Sequence, residues 1–388
     1  MIIEEAKLDF DDVLIRPKRS TLVSRKDVDI IREFKLPNGE TINGFPLIAA
    51  NMDTTGTFAM NESLSKHHAF TALHKYYPIE DIKKHWKNNY GFLTFGMSEK
   101  DNERINQLEE VINEWTNPKI CLDVANGYTE KFCNYVSKFR ERFPNATIMA
   151  GNVCTPEMTE QLILSGADIV KVGVGPGSTC LTRVTTGVGY PQLSAIIECK
   201  DAAHGQNGLV CSDGGCRNAG DVCKAFGAGA DFVMLGGIFG GTDECEGEWE
   251  CDKIEIEKTR DVWYVDSYIL NWNEGLPKPE VIKIDKENRR VLIRERYIET
   301  TKVKKSLTFY GMSSKEAQIK YNGELSQYRA SEGKCVKLSY KGPAESVLLD
   351  IMGGVRSACA YVGARRLKDF NKCCSFVRVS RTHNTVYG

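Results

Sequence analysis

The sequence predicts an α/β protein: a (β/α)8 TIM barrel with an N-terminal cap segment and an insertion containing a β-hairpin after the eighth strand. Three observations predict it. Eight apolar runs of strand length recur along the chain, many ending in glycine. Near-continuous apolar character marks strands buried on both faces, the signature of a parallel sheet. Segments with helical spacing lie between the runs. The phrase Gly166-Ala-Asp-Ile-Val-Lys-Val-Gly returns two strand–helix units later as Gly229-Ala-Asp-Phe-Val-Met-Leu-Gly, an internal echo suited to eightfold alternation.

The elements follow in order. Residues 1–45 precede the first run and contain Leu36-Pro-Asn-Gly39, a hairpin turn, so this segment is expected to cap one barrel end. The eight runs are Pro46–Asp53, Phe70–Lys75, Phe92–Gly96, Ile120–Gly127, Ala146–Val153, Ala167–Val174, Gly208–Gly215 and Ala230–Gly237. The clearest helix signal starts with Thr155 as N-cap and Pro156 in the first turn, and stops at Ser165-Gly166. Asn218–Phe226 repeats the design, with Gly227 as its stop. Residues 245–306 break the alternation. They are charge-rich, carry Trp249, Trp263 and Trp272, and place Val281–Asp285 and Val291–Arg294 around the turn Lys286-Glu-Asn-Arg289, a β-hairpin. This excursion leaves from the loop face of the barrel, where active sites form. Ser346–Leu367 reads as the closing helices, and the whole chain 1–388 as one catalytic domain carrying the insertion.

Composition excludes several classes. With 51 Lys+Arg against 52 Asp+Glu, the net charge of -1 argues against a nucleic-acid binder, which needs a basic surface. No 18-residue apolar run exists to span a membrane. The N-terminus carries acids where a secretory signal would be basic and then apolar, so the fourteen cysteines read as reduced thiols of a cytoplasmic protein. No Cys or His set has metal-ligand spacing.

The strongest chemical signal is Lys171-Val-Gly-Val-Gly-Pro-Gly-Ser-Thr-Cys-Leu-Thr-Arg183. Its glycines expose backbone groups able to hold an anion or a cation, Ser178 adds a hydroxyl suited to phosphate, and Cys180 lies at the tip. Cys180 is a candidate nucleophile; the competing reading is a small packing residue. Asp213-Gly214-Gly215 and Gly236-Gly237 close strands seven and eight, where barrels commonly bind phosphate, and Asp213 suits a pair of ribose hydroxyls. Each Gly pair taken singly is also explained by a tight turn. Asp123-Val124-Ala125-Asn126-Gly127 ends strand four. Glu332 is a general base or proton relay if desolvated, and otherwise a solvated surface acid.

These residues carry a family resemblance. Gly175-Pro-Gly-Ser-Thr-Cys-Leu-Thr-Arg183 resembles the catalytic loop of the IMP dehydrogenase and GMP reductase family, and Ser212–Gly215, Met234–Gly237 and Tyr310-Gly-Met-Ser-Ser314 resemble its nucleotide-binding elements. The likeness covers the chain except roughly Glu248–Lys304. Leu14–Ser20, Asn51–Thr57, Asp123–Tyr128 and Tyr328-Arg-Ala-Ser-Glu-Gly333 are similar to the reductase branch. The stretch from Lys75 to strand four leaves no room for the paired regulatory modules of many dehydrogenases, and no Arg-Tyr pair that activates water is recognisable before Tyr328.

The resemblance implies reductive deamination of GMP to IMP and ammonia with NADPH, through a thioimidate on Cys180, with Thr182 and Glu332 handling the proton. It implies that the nucleotide meets Ser178, Asp213, Gly214, Gly215, Gly236, Gly237, Gly311, Met312, Ser313, Arg329, Ala330, Ser331 and Gly333. It implies that the cofactor meets Lys75, Asp123, Val124, Ala125, Met312, Tyr328, Arg329, Ser357, Ala358, Cys359 and Ala360, with Ser24 and Arg25 reaching in from a neighbouring subunit of a homotetramer. A monovalent cation, K+, would sit on Gly175, Gly177, Cys180 and Arg183. Leu181 departs from the usual Thr, and the insertion departs from the common pattern: it lengthens a lid, adds a subunit contact, binds an effector or is a solvated hairpin. The alternatives to a reductase are an IMP dehydrogenase and a catalytically silent nucleotide-binding or assembly protein.

Overall fold

The computed structural model describes residues 5–86, 90–265, 280–324 and 330–380. The chain opens with β1 (Val13–Ile15), β2 (Arg32–Lys35) and β3 (Thr41–Gly44). Eight parallel strands then close into a barrel in chain order: β4 (Leu47–Ala49), β5 (Phe70–Leu73), β6 (Gly91–Phe95), β7 (Lys119–Asp123), β8 (Thr147–Val153), β9 (Ile169–Val172), β10 (Leu209–Asp213) and β11 (Phe232–Leu235). β11 returns to β4 with Val233 beside Leu47. Each strand lies within one of the eight apolar runs or starts one residue before it, because burial on both faces leaves no polar alternation to obscure them.

The intervening helices are α1 (Phe58–Ser65), α2 (Ile79–His85), α3 (Glu99–Glu114), α4 (Glu130–Arg142), α5 (Pro156–Leu164), the short α6 (Thr182–Thr186), α7 (Gln192–Gly205) and α8 (Ala219–Ala228). Sequence sets their ends. Thr155 and Pro156 open α5, and Asn218 caps α8 by accepting from the Asp221 N–H. α8 does not stop at Gly227. That glycine lies inside the helix against Cys374, where an added Cβ would come 3.1 Å from Sγ, and the left-handed stop is Gly229.

The core has two layers. Phe70, Phe92, Met149, Ile169 and Phe232 fill the barrel, while Leu93, Ile120, Leu162 and Val210 lie in a second cluster that also takes in helix residues Leu108 and Phe132. The predicted cap is real: the β2–β3 hairpin puts Phe34, Leu36 and Ile42 into the interior cluster, with Phe34 stacked on Phe232 at 4.5 Å. Asn38 in its turn donates to the Asp168 carboxylate and the Ala146 carbonyl, which lie at the N-terminal ends of β9 and β8. The cap therefore plugs the barrel end opposite the Gly-rich loops.

The chain divides into two compact units, residues 1–248 with 308–388 and residues 249–307. The second is a sheet. β12 (Trp249–Val265) pairs antiparallel with β14 (Arg290–Tyr310), and β13 (Glu280–Asp285) flanks β14 on its other side. The hairpin read from the sequence is β13–β14. β12 alternates only over Lys253–Glu257 and is otherwise charge-rich, and nearly all its side chains are exposed, so most of its length prints no strand pattern. Cross-strand pairs Arg260–Glu295 and Arg294–Asp261, both 2.9 Å, hold its register. Trp249 lies under Lys304 and Trp263 under Arg290; Trp272 lies outside the described residues.

In the barrel unit the chain continues through α9 (Lys315–Asn322), β15 (Cys335–Ser339), α10 (Ala344–Val362), α11 (Leu367–Cys373) and β16 (Phe376–Arg378), which pairs with β1. The segment read as closing helices is thus α10 and a turn at Gly363, with α11 beginning at its last residue. No described helix is long and apolar enough to cross a membrane.

Candidate active site

The C-terminal ends of the barrel strands surround a cavity of about 260 Å³. Its wall contains Cys180, Thr182 and Glu332, which the fold joins from distant parts of the chain. The Cys180 Sγ–H donates to Thr182 Oγ1 at 3.2 Å, and that hydroxyl donates to Glu332 Oε2 at 2.7 Å. A proton can pass along this line from thiol to carboxylate.

Backbone pairing fixes the line. Leu181 N–H donates to the Glu332 carbonyl at 2.7 Å and Lys334 N–H to the Thr179 carbonyl at 2.9 Å, zipping the Cys180 loop to the 332–334 segment. Glu332 N–H donates to the Ser313 carbonyl, and Gly311 N–H to the Lys334 carbonyl. Three chain segments thus meet at the thiol. Leu181 serves here through its backbone, so the departure from Thr costs nothing in this contact.

Ser178, Asp213, Gly214, Gly215, Gly236, Gly237, Gly311, Met312 and Ser313 all line the cavity, as do Asp123, Val124, Ala125, Gly175 and Gly177. Gly214 and Gly215 both have φ near +85°, at 84° and 86°, which side chains with a Cβ rarely adopt. At Gly237 a Cβ would sit 2.8 Å from Ser178 Oγ, so glycine lets that strand end close on the serine. These neighbours make a small hydroxyl-and-amide corner suited to a phosphate.

The floor holds a buried lysine from β9. Lys171, 2% exposed, places Nζ 2.6 Å from Asp123 Oδ1 and 3.0 Å from Asp213 Oδ2. Burial alone would drive the ammonium down, but the two carboxylates outweigh it and hold Lys171 well above its ordinary value. Burial likewise pushes Asp123 up, and Lys171, then Asn51 and Lys75, bring it below the usual carboxylate range. Asn152 donates to Asp213 at 2.9 Å. Lys171 ties the acid read for the ribose to the acid read for the cofactor. A lysine inside the otherwise apolar β9 was the available signal.

Other predicted residues lie elsewhere. Lys75 pairs with Asp101 at 3.2 Å outside the cavity lining. Ala330, Ser331 and Gly333 flank Glu332 without lining the cavity, and Tyr328 and Arg329 lie outside the described residues. Arg183 reaches Asp9 and the Tyr190 carbonyl. Ser24 caps the turn Arg25–Asp27, which packs against α10, the helix carrying Ser357, Ala358, Cys359 and Ala360; none of these lines this chain's own cavity. A second cavity, about 610 Å³, also has Thr182 and Glu332 in its wall and is otherwise bounded by Ala125, Tyr128, Val174, Val188 and Tyr190 among others. The proton line therefore stands where two cavities meet.

The family model for the IMP dehydrogenase / GMP reductase domain matches residues 7–260 and 295–385, leaving part of the β12–β14 sheet outside the match. GMP reductase 1 of Mus musculus is 48% identical over 390 residues, covering 99% of this chain and 98% of the relative. The GMP reductase of Caenorhabditis elegans is 47% identical, covering 100% and 96%, and that of Photobacterium profundum 46%, covering 100% and 99%.

Proposed function

Because the chain belongs to the IMP dehydrogenase / GMP reductase family, we propose that it is a GMP reductase, converting GMP and NADPH to IMP, ammonia and NADP+. The observation that carries this reading is the Cys180–Thr182–Glu332 line, with steps of 3.2 and 2.7 Å, in the wall of a cavity that also presents the Ser178–Gly237 corner and Asp213. The corner takes the phosphate and Asp213 the ribose hydroxyls, which sets the purine C2 beside Cys180. Sγ bonds to C2 while its proton moves through Thr182 to Glu332. An amine leaves poorly unless protonated, so Glu332 returns that proton to the departing ammonia. What remains is a thioimidate between Cys180 and the purine. The reduced nicotinamide, when bound, supplies the hydride that reaches C2; the S–C2 bond breaks to release IMP, and the Cys180 thiolate takes one proton from solvent, the proton consumed in the overall reaction.

The residues fit such a cofactor. The second cavity sets Tyr128, Val174, Val188 and Tyr190 beside the polar Asn126, Thr155 and Thr186 and reaches Thr182 and Glu332, so a planar ring there would lie close to the purine. Ser24, Arg25, Ser357, Ala358 and Ala360 lie off this chain's own cavity, which supports a cofactor site completed by a neighbouring copy in a homotetramer; Cys359, fully buried, would serve that site only by packing. The carbonyls of Gly175, Gly177 and Cys180 are neutral oxygen donors of the kind that hold K+, with Arg183 at the edge of that loop. We place the enzyme in the cytoplasm on its fourteen cysteines, every one of them free in the fold.

The test is direct. NADPH absorbance falls when GMP is added, with one ammonia released per NADPH consumed. Formation of XMP from IMP and NAD+ would instead select the dehydrogenase, and GMP binding with neither reaction would select a silent nucleotide-binding protein.

A further inference from the structure

We propose that Asp53 is the positioning residue that fixes the substrate loop and, through it, Glu332. This rests on the reductase reading of the site. Asp53 follows β4, its side chain is 1% exposed, and it does not line the cavity. Its Oδ2 accepts three hydrogen bonds from a segment more than 250 residues away: Tyr310 Oη at 2.6 Å, Tyr321 Oη at 2.6 Å and Lys320 Nζ at 2.8 Å. Lys320 Nζ also donates to Tyr310 Oη at 3.1 Å. Burial would push this carboxyl up, but the Lys320 ammonium and the Tyr310 and Tyr321 hydroxyls outweigh it and hold Asp53 below its ordinary value. Its other oxygen, Oδ1, is buried without a partner, so the whole anchorage falls on Oδ2.

The three donors bracket the substrate loop. Tyr310 is the residue before Gly311-Met312-Ser313, and Lys320 and Tyr321 close α9 on the other side of it. Gly311 and Ser313 are the residues whose backbones bond the 332–334 segment. Tyr321 also stacks on Tyr76 beyond β5, at 3.5 Å and 12°. The barrel rim thus grips the loop at both ends, and the loop sets the height of Glu332 over Thr182. A charged acceptor suits three converging donors, because charge-assisted hydrogen bonds are about twice as strong as neutral ones. An asparagine keeps the shape and loses the charge.

The experiment compares wild type, Asp53→Asn, Glu332→Gln and the double variant. Ammonia release from GMP should fall about 10- to 100-fold in Asp53→Asn, the loss typical of a reacting group displaced by about an ångström. The NADPH burst from IMP and NADP+ should fall by a smaller factor than ammonia release, since it asks Glu332 only for the thiol proton. In the Glu332→Gln background the same substitution should cost no more than about twofold, since residues acting through one group are not additive. Equal losses in both backgrounds, or wild-type ammonia release in Asp53→Asn, would overturn the proposal. Tyr321→Phe removes one donor from a partly exposed side chain and should repeat the pattern at smaller scale, which covers a failure of Asp53→Asn to fold. Amide exchange over residues 310–322 reads the clamp without turnover. Faster exchange in Asp53→Asn supports it and unchanged exchange contradicts it, even if the wild type proves not to deaminate GMP.

Discussion

Replacing Glu332 by Gln separates the two halves of the proposed reaction. The amide oxygen can still accept from Thr182, whose hydroxyl lies 2.7 Å from Oε2, so the local geometry survives. What disappears is a carboxylate able to take the thiol proton and return it to ammonia. A positioned acid–base group is worth about 10²- to 10⁴-fold, or about 3–5 kcal/mol at 1.36 kcal/mol per tenfold. Loss of one hydrogen bond to a charged group is worth only about 1.5–3 kcal/mol, so an effect at the upper end of the range is acid–base in origin. Steady-state NADPH oxidation with GMP should therefore drop by about 10²- to 10⁴-fold. The burst of NADPH from IMP and NADP+ asks Glu332 only to take the thiol proton and not to deliver one to ammonia, so it should fall by a smaller factor than ammonia release. If ammonia release and the burst fell by the same factor, Glu332 would be a positioning group and the proton line would not be the catalytic device.

Three further outcomes follow from the same structure. Cys180→Ala should bind GMP nearly as tightly as wild type while turnover falls below about one part in 10³, since affinity comes from the phosphate and ribose contacts; larger residual turnover would remove the nucleophile role. Burial pushes His74 down to about 4, so between about pH 6.5 and 4 the unfolded chain binds a proton that the folded chain refuses. Stability from this group is intact above pH 6.5 and falls by about 3 kcal/mol as pH drops through that window; His74→Gln should flatten this limb in urea midpoints at pH 7, 6 and 5, and an unchanged slope would reject it. Replacing Asp252–Lys302 with a short Gly-Ser linker should leave the barrel folded and alter either the GMP dependence or the assembly mass by light scattering; wild-type values of both would assign the sheet neither role.

The barrel was legible because its strands are buried on both faces, so a run such as Ala167–Val174 betrays β9 without any contact being known. The cavity was legible for a related reason: glycines at strand ends mark where backbone approaches a ligand, and Gly214, Gly215 and Gly237 all sit there. β12 is barely legible, since a strand exposed on both faces need not alternate, and this one does so only over Lys253–Glu257. Gly227 was misread because a packing glycine and a stopping glycine look alike until the neighbouring helix is placed. The roles of Lys171 and Asp53 are not legible in the sequence because both act through partners far along the chain. Asp213 lies 42 residues from Lys171, and Tyr321 lies 268 from Asp53. Lys171 offers one sequence signal, a charge in the middle of an apolar run, and Asp53, at the polar end of its run, offers none.

The central claim is that Cys180 bonds the purine at C2. Incubating the protein with IMP and NADP+ in the absence of ammonia, quenching in acid and mapping peptides by mass spectrometry tests it most directly. One hydride leaves C2 for NADP+, the thiol loses its proton, and Sγ takes the vacated position. The account predicts a purine nucleotide on the Cys180 peptide, NADPH formed in amounts no greater than the enzyme, and no free XMP. Catalytic release of XMP, or NADPH formed with the Cys180 peptide unmodified, would contradict it.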